Sequence, residues 1–273
     1  MVKNLGCNLD ALSSDFKTYF KHPASDNDVC VFLDLCHMMK LVCNTLGDKK
    51  SIVDGDDIFI KWEFIDSLHK LQVQEGLHFA NRLRDRHIAW HKNKMNVRLA
   101  AQLLSESVAT SLEFCSQEKI SGFVECEATV KFIRIFNKLF DMLNSGNLSG
   151  KAHKSPMHDR NIVEMRSSLI ETKQYIIALK ESRNRQYIFN SNRKTGFVGF
   201  CVCIDSVLKV YDFLTTNVQL GMKFFCTFKF SQDHLELFLV KLDVLAGVTT
   251  THQLGLSNFI ELFFESSFED LEK

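Results

Sequence analysis

Proline occurs twice in this chain, at Pro23 and Pro156, and no other feature narrows its folding choices as much. Inside a helix a proline removes a backbone hydrogen bond and collides with the preceding turn, at about 3 kcal/mol. With so few, helices are free to run long through the middle of the sequence, and the apolar periodicity predicts that they do. Phe64, Leu68 and Leu71 share one helical face. Val97, Ala101, Leu104, Val108, Leu112 and Cys115 recur at steps of three and four, and Phe132, Ile133, Phe136, Phe140 and Leu143 form a third stripe. Ile162, Met165, Leu169 and Ile176 predict a further helix, and Ile204, Val207, Leu208, Tyr211 and Leu214 another. Phenylalanine supplies 24 of the 273 residues, so the core these stripes build should be aromatic.

The two ends read differently. Val29-Cys-Val-Phe-Leu33 is continuously apolar and too short for a helix, which predicts a buried strand ending directly at Asp34. Leu35, Met39, Val42 and Leu46 then return to helical spacing. Near the other end, Met222-Lys-Phe-Phe-Cys-Thr-Phe-Lys-Phe230 reads as a strand, followed by a helix capped by Ser231 with Leu235, Phe238, Leu239 and Leu242 facing inward. Lys49–Asp57 and Glu181–Thr195 read as polar loops, and Asn144–Pro156, with its Gly, Asn, Ser and Pro, as the clearest break. The expected fold class is α+β and predominantly helical: strand and helix, a long helical block, then strand and helix.

Several function classes are excluded or disfavoured at this level. Lys+Arg and Asp+Glu both total 33, so a sequence-independent grip on nucleic acid would need a local basic patch. Nine cysteines contain no C-x-x-C pair and sit mostly in apolar runs, which predicts free buried thiols. The first residues hold no signal-type apolar region and no stretch approaches ~18 unbroken apolar residues, so a soluble, intracellular chain with no membrane partner is expected. No G-x-x-x-x-G-K-[ST] is present, which removes a nucleotide site of P-loop type.

The chemistry-bearing candidates each keep two readings. Asp34, at the predicted strand end, fits either a ligand-facing acid or a helix N-cap. Asp233 and Glu236, three apart in a first helical turn, fit either surface acids matched to the helix dipole or, together with Asp34, oxygen ligands for Mg²⁺. Asp141 and Asn144, at i and i+3, place a carboxylate and an amide on one face. That pair can read the edge of a guanine or simply solvate a helix end. Upstream, Arg82, Arg84, Arg86, His87, His91, Lys92, Lys94 and Arg98 fit a phosphate grip or an ordinary solvated face.

Several longer motifs resemble one family, in order. Phe32-Leu-Asp-Leu-Cys-His-Met-Met-Lys-Leu-Val-Cys-Asn44 is similar to the D-x-x-H-x-x-K-L-x-R-N segment of P-element-type transposases, which include the THAP-domain transposase-like proteins. Gly76–Leu83, Lys94–Ser105, Ser107–Ala109 and Leu139–Ser145 resemble that family's guanine-nucleotide-binding insertion, and Ser231–Phe238 its most recognisable motif. The resemblance implies an RNase H-like core with an Asp-Asp-Glu metal site, interrupted by a helical GTP-binding insertion. By motif, Asp34 matches the second catalytic Asp and Glu236 the catalytic Glu, both Mg²⁺ ligands. Asp141, Asn144 and Asp233 match nucleotide contacts, and Arg82 falls where the family commonly has Lys.

The implied division is residues 1–46 as partial core, 47–150 as GTP-binding insertion, 151–195 as its helical and loop remainder, and 196–273 as the C-terminal part of the core. The implied activity is GTP-dependent, Mg²⁺-dependent DNA cleavage and strand transfer by a nuclear protein. Its partners would be guanine nucleotide, transposon-end DNA, and another copy of itself or a full-length transposase. The matched segments leave the family's first catalytic Asp upstream of residue 1, and Asp10, Asp15, Asp26 and Asp28 are poor substitutes. Cys43 stands where Arg is usual, and Gly247–His252 departs from the family's Asn-rich segment. The chain is therefore expected to be catalytically incomplete alone; the alternative is a non-enzymatic GTP-binding regulator or adaptor.

Overall fold

The helical stripes fold as their spacing requires. In the computed structural model, which describes residues 2–25, 27–76, 79, 81–216 and 222–230, the three long stripes and their neighbours become α1 (Leu35–Lys49), α2 (Trp62–Glu75), α3 (Asp85–Ile88), α4 (Val97–Leu103), α5 (Glu106–Gln117), α6 (Glu127–Leu143), α7 (Ile162–Ala178) and α8 (Thr195–Thr216). The stripe from Val97 to Cys115 is two helices rather than one. Ser105 takes an extended backbone (φ −102°, ψ 155°), and a new helix starts after it. Ser105 reaches back to the carbonyl of Gln102, the local competition with the helix ladder that serine offers.

The aromatic core centres on α6. Phe132 and Phe136 lie 4.7 Å apart between ring centres, and Phe136 meets Phe197 and Phe200 of α8 edge-on at 6.0 and 5.5 Å. On its other side, the Arg134 guanidinium pairs with both oxygens of Glu113 at 2.8 and 2.7 Å, and its Nε with Glu106 at 2.9 Å, fixing α6 against α5. Helix α8 crosses α1 where the side chains nearly vanish. A Cβ on Gly196 would stand 2.9 Å from the Cβ of Leu41 and 3.1 Å from backbone atoms of Met38 and Val42. Helices α1 and α8 are thus in close backbone contact, and the buried residues form one cluster.

Strands are few and short. A hairpin of β1 (Tyr19–Lys21) and β2 (Asp28–Cys30) is separate from a three-stranded antiparallel sheet ordered β4-β3-β5, with β3 at Ser51–Val53, β4 at Phe59–Lys61 and β5 at Lys180–Glu181. Two segments read as loops therefore supply strands. The hairpin between β3 and β4 closes because one carboxylate oxygen of Asp54 accepts the N–H groups of Asp56 and Ile58 at 3.0 and 2.9 Å. No RNase H-like sheet is assembled among the described residues.

Both predicted end strands are corrected. The run from Val29 to Leu33 leaves the strand after Cys30, and Val31–Asp34 lies extended along α8 instead. Ser206 donates to the Val31 carbonyl at 2.6 Å, while the Cys203 sulfur lies 3.4 and 3.3 Å from the N–H and C=O of Leu33. The Val31 N–H still donates to the Thr18 carbonyl at 2.8 Å, and beyond it side chains of a helix satisfy the polar groups that a neighbouring strand would have taken. Met222–Phe230 is likewise not a strand. It makes one bridge, Met157 to Phe225, then tightens into a 3-10 turn at Thr227–Phe230. All nine cysteines are free, as their spacing predicts. Among the described residues no helix is long and apolar enough to cross a membrane.

Candidate functional site

Five of the eight basic residues singled out in the sequence converge on one groove. Asn81 and Leu83 are buried, and the Asn81 amide donates to Ser111 of α5 at 3.0 Å while its oxygen accepts the Leu83 N–H. Between these two fixed residues Arg82 has nowhere to go but outward. Arg82, Arg84 and Arg86 from the α3 turn and Arg98 from α4 line an open groove of about 730 Å³, with His87, Asn96, Leu99 and Gln102. The carboxylate there, Asp85, faces His69 of α2 at 3.0 Å. Guanidinium forks match phosphate oxygens in pairs, so four at one groove is a polyanion's environment. Lys94 instead turns toward Trp90, its ammonium 5.2 Å from the ring centre.

Asp141 and Asn144 sit at the C-terminal end of α6, one turn apart. Asn144 caps the helix, its backbone N–H donating to Phe140 at 2.9 Å, and its side-chain amide has no hydrogen bond among the described residues. The Asp141 carboxylate has a long contact from Asn137 at 3.5 Å and the Lys154 ammonium at 3.7 Å. Burial pushes its carboxyl above the ordinary aspartate value, and the charges of Lys154 and His153 work against that. The pair therefore holds hydrogen-bonding capacity in reserve on one half-buried face.

What shapes this helix end is a residue the sequence did not flag. Thr227, 1% exposed, donates from Oγ1 to the Met142 carbonyl at 2.8 Å and accepts the Ser145 N–H at 2.9 Å. The Phe228 ring then lies on Gly146 so closely that a Cβ there would be 2.8 Å from it. The Gly-rich stretch after α6 is thus packed rather than loose: Ser145 is buried and its hydroxyl donates to Lys154. Gly146, read as part of a break, was the available hint, since only a missing side chain lets a ring approach backbone this way.

Asp34 is the N-cap of α1, its two carboxylate oxygens accepting the Cys36 and His37 N–H groups at 3.3 and 2.9 Å. Of its two readings, the capping one is what the geometry displays. Among the described residues no three His, Cys, Asp or Glu side chains gather as metal ligands. Asp233 and Glu236 lie outside the described residues. No hydrogen bond or ion pair among the described residues links Arg82 with Asp141 or Asn144.

With this geometry in place, the relatives can be read. Residues 36–156 match the model of the TNP-like, GTP-binding insertion domain. The human DNA transposase THAP9 is 33% identical over 240 residues, 88% of this chain. The chain belongs to the P-element-type transposase family. The Transposable element P transposase of Drosophila melanogaster, another member, is 32% identical over 144 residues, 48% of the chain. The solved Drosophila P element transposase strand transfer complex shares its fold over 88% of the chain and 51% of that structure, with a TM-score of 0.72 at 23% identity. The chain spans 26% of the length of the human relative and 17% of the fly one. The insertion-domain match holds Arg82, Asp141 and Asn144, begins two residues after Asp34, and takes in all of α1 after its first residue.

Proposed function

We propose that this chain binds a guanine nucleotide and serves as the nucleotide-holding part of a transposase that cleaves and joins DNA. The observation that carries the reading is that one stretch, matched to a GTP-binding insertion domain, contains both an arginine groove and, at the end of α6, a carboxylate held only by long contacts to Asn137 and Lys154 beside the Asn144 amide. In this reading Arg82, with Arg84, Arg86 and Arg98, receives the phosphates. Asp141 accepts from the N1 and N2 donors of guanine while the Asn144 amide donates to its carbonyl. Asp233 is assigned as a further nucleotide contact on its motif. The DNA partner rests on what the relatives are named for. The assignment of Asp34 and Glu236 to Mg²⁺ rests on the motif resemblance and carries no chemical step.

Titration with GTP and ATP, read by a fluorescent analogue and calorimetry, tests this. Wild type is expected to prefer GTP, and Asp141→Ala to lose at least about tenfold in GTP affinity and the preference with it, as befits a charge-assisted hydrogen-bond pair. Arg98→Ala should weaken GTP and ATP alike. Asp141→Asn replaces an acceptor by a donor and should shift preference toward xanthosine triphosphate, whose ring carries an acceptor where guanine carries N2. Equal affinity of wild type for GTP and ATP, or no effect of Asp141→Ala, refutes the reading.

A further inference from the structure

The arginine groove has a histidine in its wall whose neighbours dictate which nitrogen holds the proton. His87 is 3% exposed. Its Nδ1 accepts the backbone N–H of Arg84 at 3.0 Å, and its Nε2 stands 3.2 Å from Oε1 of Gln102 on α4. A backbone N–H has only a proton to offer, so Nδ1 is the acceptor, Nε2 carries the hydrogen and donates to Gln102. One ring therefore ties the turn bearing Arg84 to the helix bearing Arg98; both residues line the groove, with Nη1 of Arg84 donating to the Leu83 carbonyl at 2.9 Å.

We propose that His87 is the positioning residue of this groove, holding Arg84 in register with Arg98 for a polyphosphate only as the neutral Nε2–H imidazole. This rests on the groove being the phosphate site proposed above. A second proton on Nδ1 would confront the Arg84 N–H with another donor. The ring nitrogen also lies 3.2 Å from the Arg84 carbonyl, which already accepts the His87 N–H at 2.9 Å, so a doubly protonated ring would exchange its tie to the Arg84 N–H for a second bond to that oxygen. The surroundings oppose the proton. His87 shares the lining of the groove and of the neighbouring cleft with Arg82, Arg84, Arg86, Arg98, Lys40 and Lys94, against one carboxylate, Asp85, and the charge of His69 on α2 also reaches it. Burial, then the charges of Arg84 and His69, hold its pKa below the ordinary histidine value, against the hydrogen bonds to Gln102 and Arg84.

The test uses the whole chain with inorganic tripolyphosphate and GTP as separate probes, in three proteins. Asparagine places an amide oxygen close to Nδ1 and does not titrate, so His87→Asn should keep tripolyphosphate affinity within about threefold of wild type. Glutamine keeps only the far end of the ring, so His87→Gln should lose about tenfold, the worth of one buried backbone hydrogen bond. Between neutral pH and about pH 5, wild type should lose affinity faster than His87→Asn; the ratio of the two cancels protonation of the probe itself. Long-range ¹H–¹⁵N spectra of the wild type should show the Nε2–H tautomer, a readout independent of how well a variant folds. The Nδ1–H tautomer, equal losses in both variants, identical pH profiles, or no tripolyphosphate binding by wild type each overturn the proposal. Tripolyphosphate binding that needs His87 alongside equal GTP and ATP affinity would instead sink the guanine reading and leave His87 standing.

Discussion

Thr227 offers the sharpest test of how the end of α6 is held. Its hydroxyl occupies the end of α6 from a position 82 residues beyond Ser145, donating to the Met142 carbonyl at 2.8 Å and accepting the Ser145 N–H at 2.9 Å. All three residues are buried. Thr227→Val keeps the shape and deletes both bonds, leaving a backbone N–H and C=O without partners or water. Each such orphan costs about 1–3 kcal/mol, and the methyl that replaces the hydroxyl returns under ~1 kcal/mol of apolar burial. The net loss is about 1–5 kcal/mol, which for a chain of this size lowers Tm by several degrees, about 3 °C for each kcal/mol. Thr227→Ser retains the hydroxyl and forfeits only a methyl, worth about 1 kcal/mol. Calorimetric melting of the three proteins decides the matter. If valine and serine variants melt together, or the valine variant melts with wild type, the hydroxyl is not the clamp described. In the guanine reading the valine variant should also weaken GTP more than it weakens tripolyphosphate, because the clamp sits under Asp141 and Asn144 and not under the arginines.

Two further outcomes follow from single contacts. Gly196→Ala places its methyl against the Leu41 Cβ and the α1 backbone, which cannot rotate away, so the two helices must separate. The expected loss is about 1–3 kcal/mol in urea unfolding, and an unchanged midpoint would refute the backbone contact. His37, whose pKa burial and then the Lys40 charge push down to about 4, is neutral in the native state and near its ordinary ~6.5 when unfolded. Its contribution is complete above about pH 6.5 and is lost as pH falls toward about 4, by roughly 1–2 kcal/mol after allowing for solvent at a half-buried ring. Replacement by Gln should flatten that part of the stability profile; parallel profiles would contradict the shift.

The sequence, by itself, determined the elements whose partners lie within their own turn. Period-3.6 stripes fixed α2, α6 and α7 because a helix satisfies its backbone internally, and only its face needs a neighbour. It also held the capping role of Asp34, since capping needs nothing beyond the next three residues. Where polar groups are satisfied from far along the chain, local pattern was insufficient. Val31–Leu33 carries the apolar composition of a strand, yet only the Val31 N–H still pairs with the hairpin, at Thr18, while Ser206 and Cys203 of α8 take the Val31 carbonyl and the backbone of Leu33. Met222–Phe230 carries strand propensity, yet Thr227 is spent on the end of α6. The basic run between Arg82 and Arg98 was visible as charge. That four arginines face one groove while Lys94 turns to Trp90 depends on Asn81 bonding Ser111 and on His87 spanning α3 and α4. Residue type states what a side chain can bond; only the packed chain decides which distant group arrives to meet it.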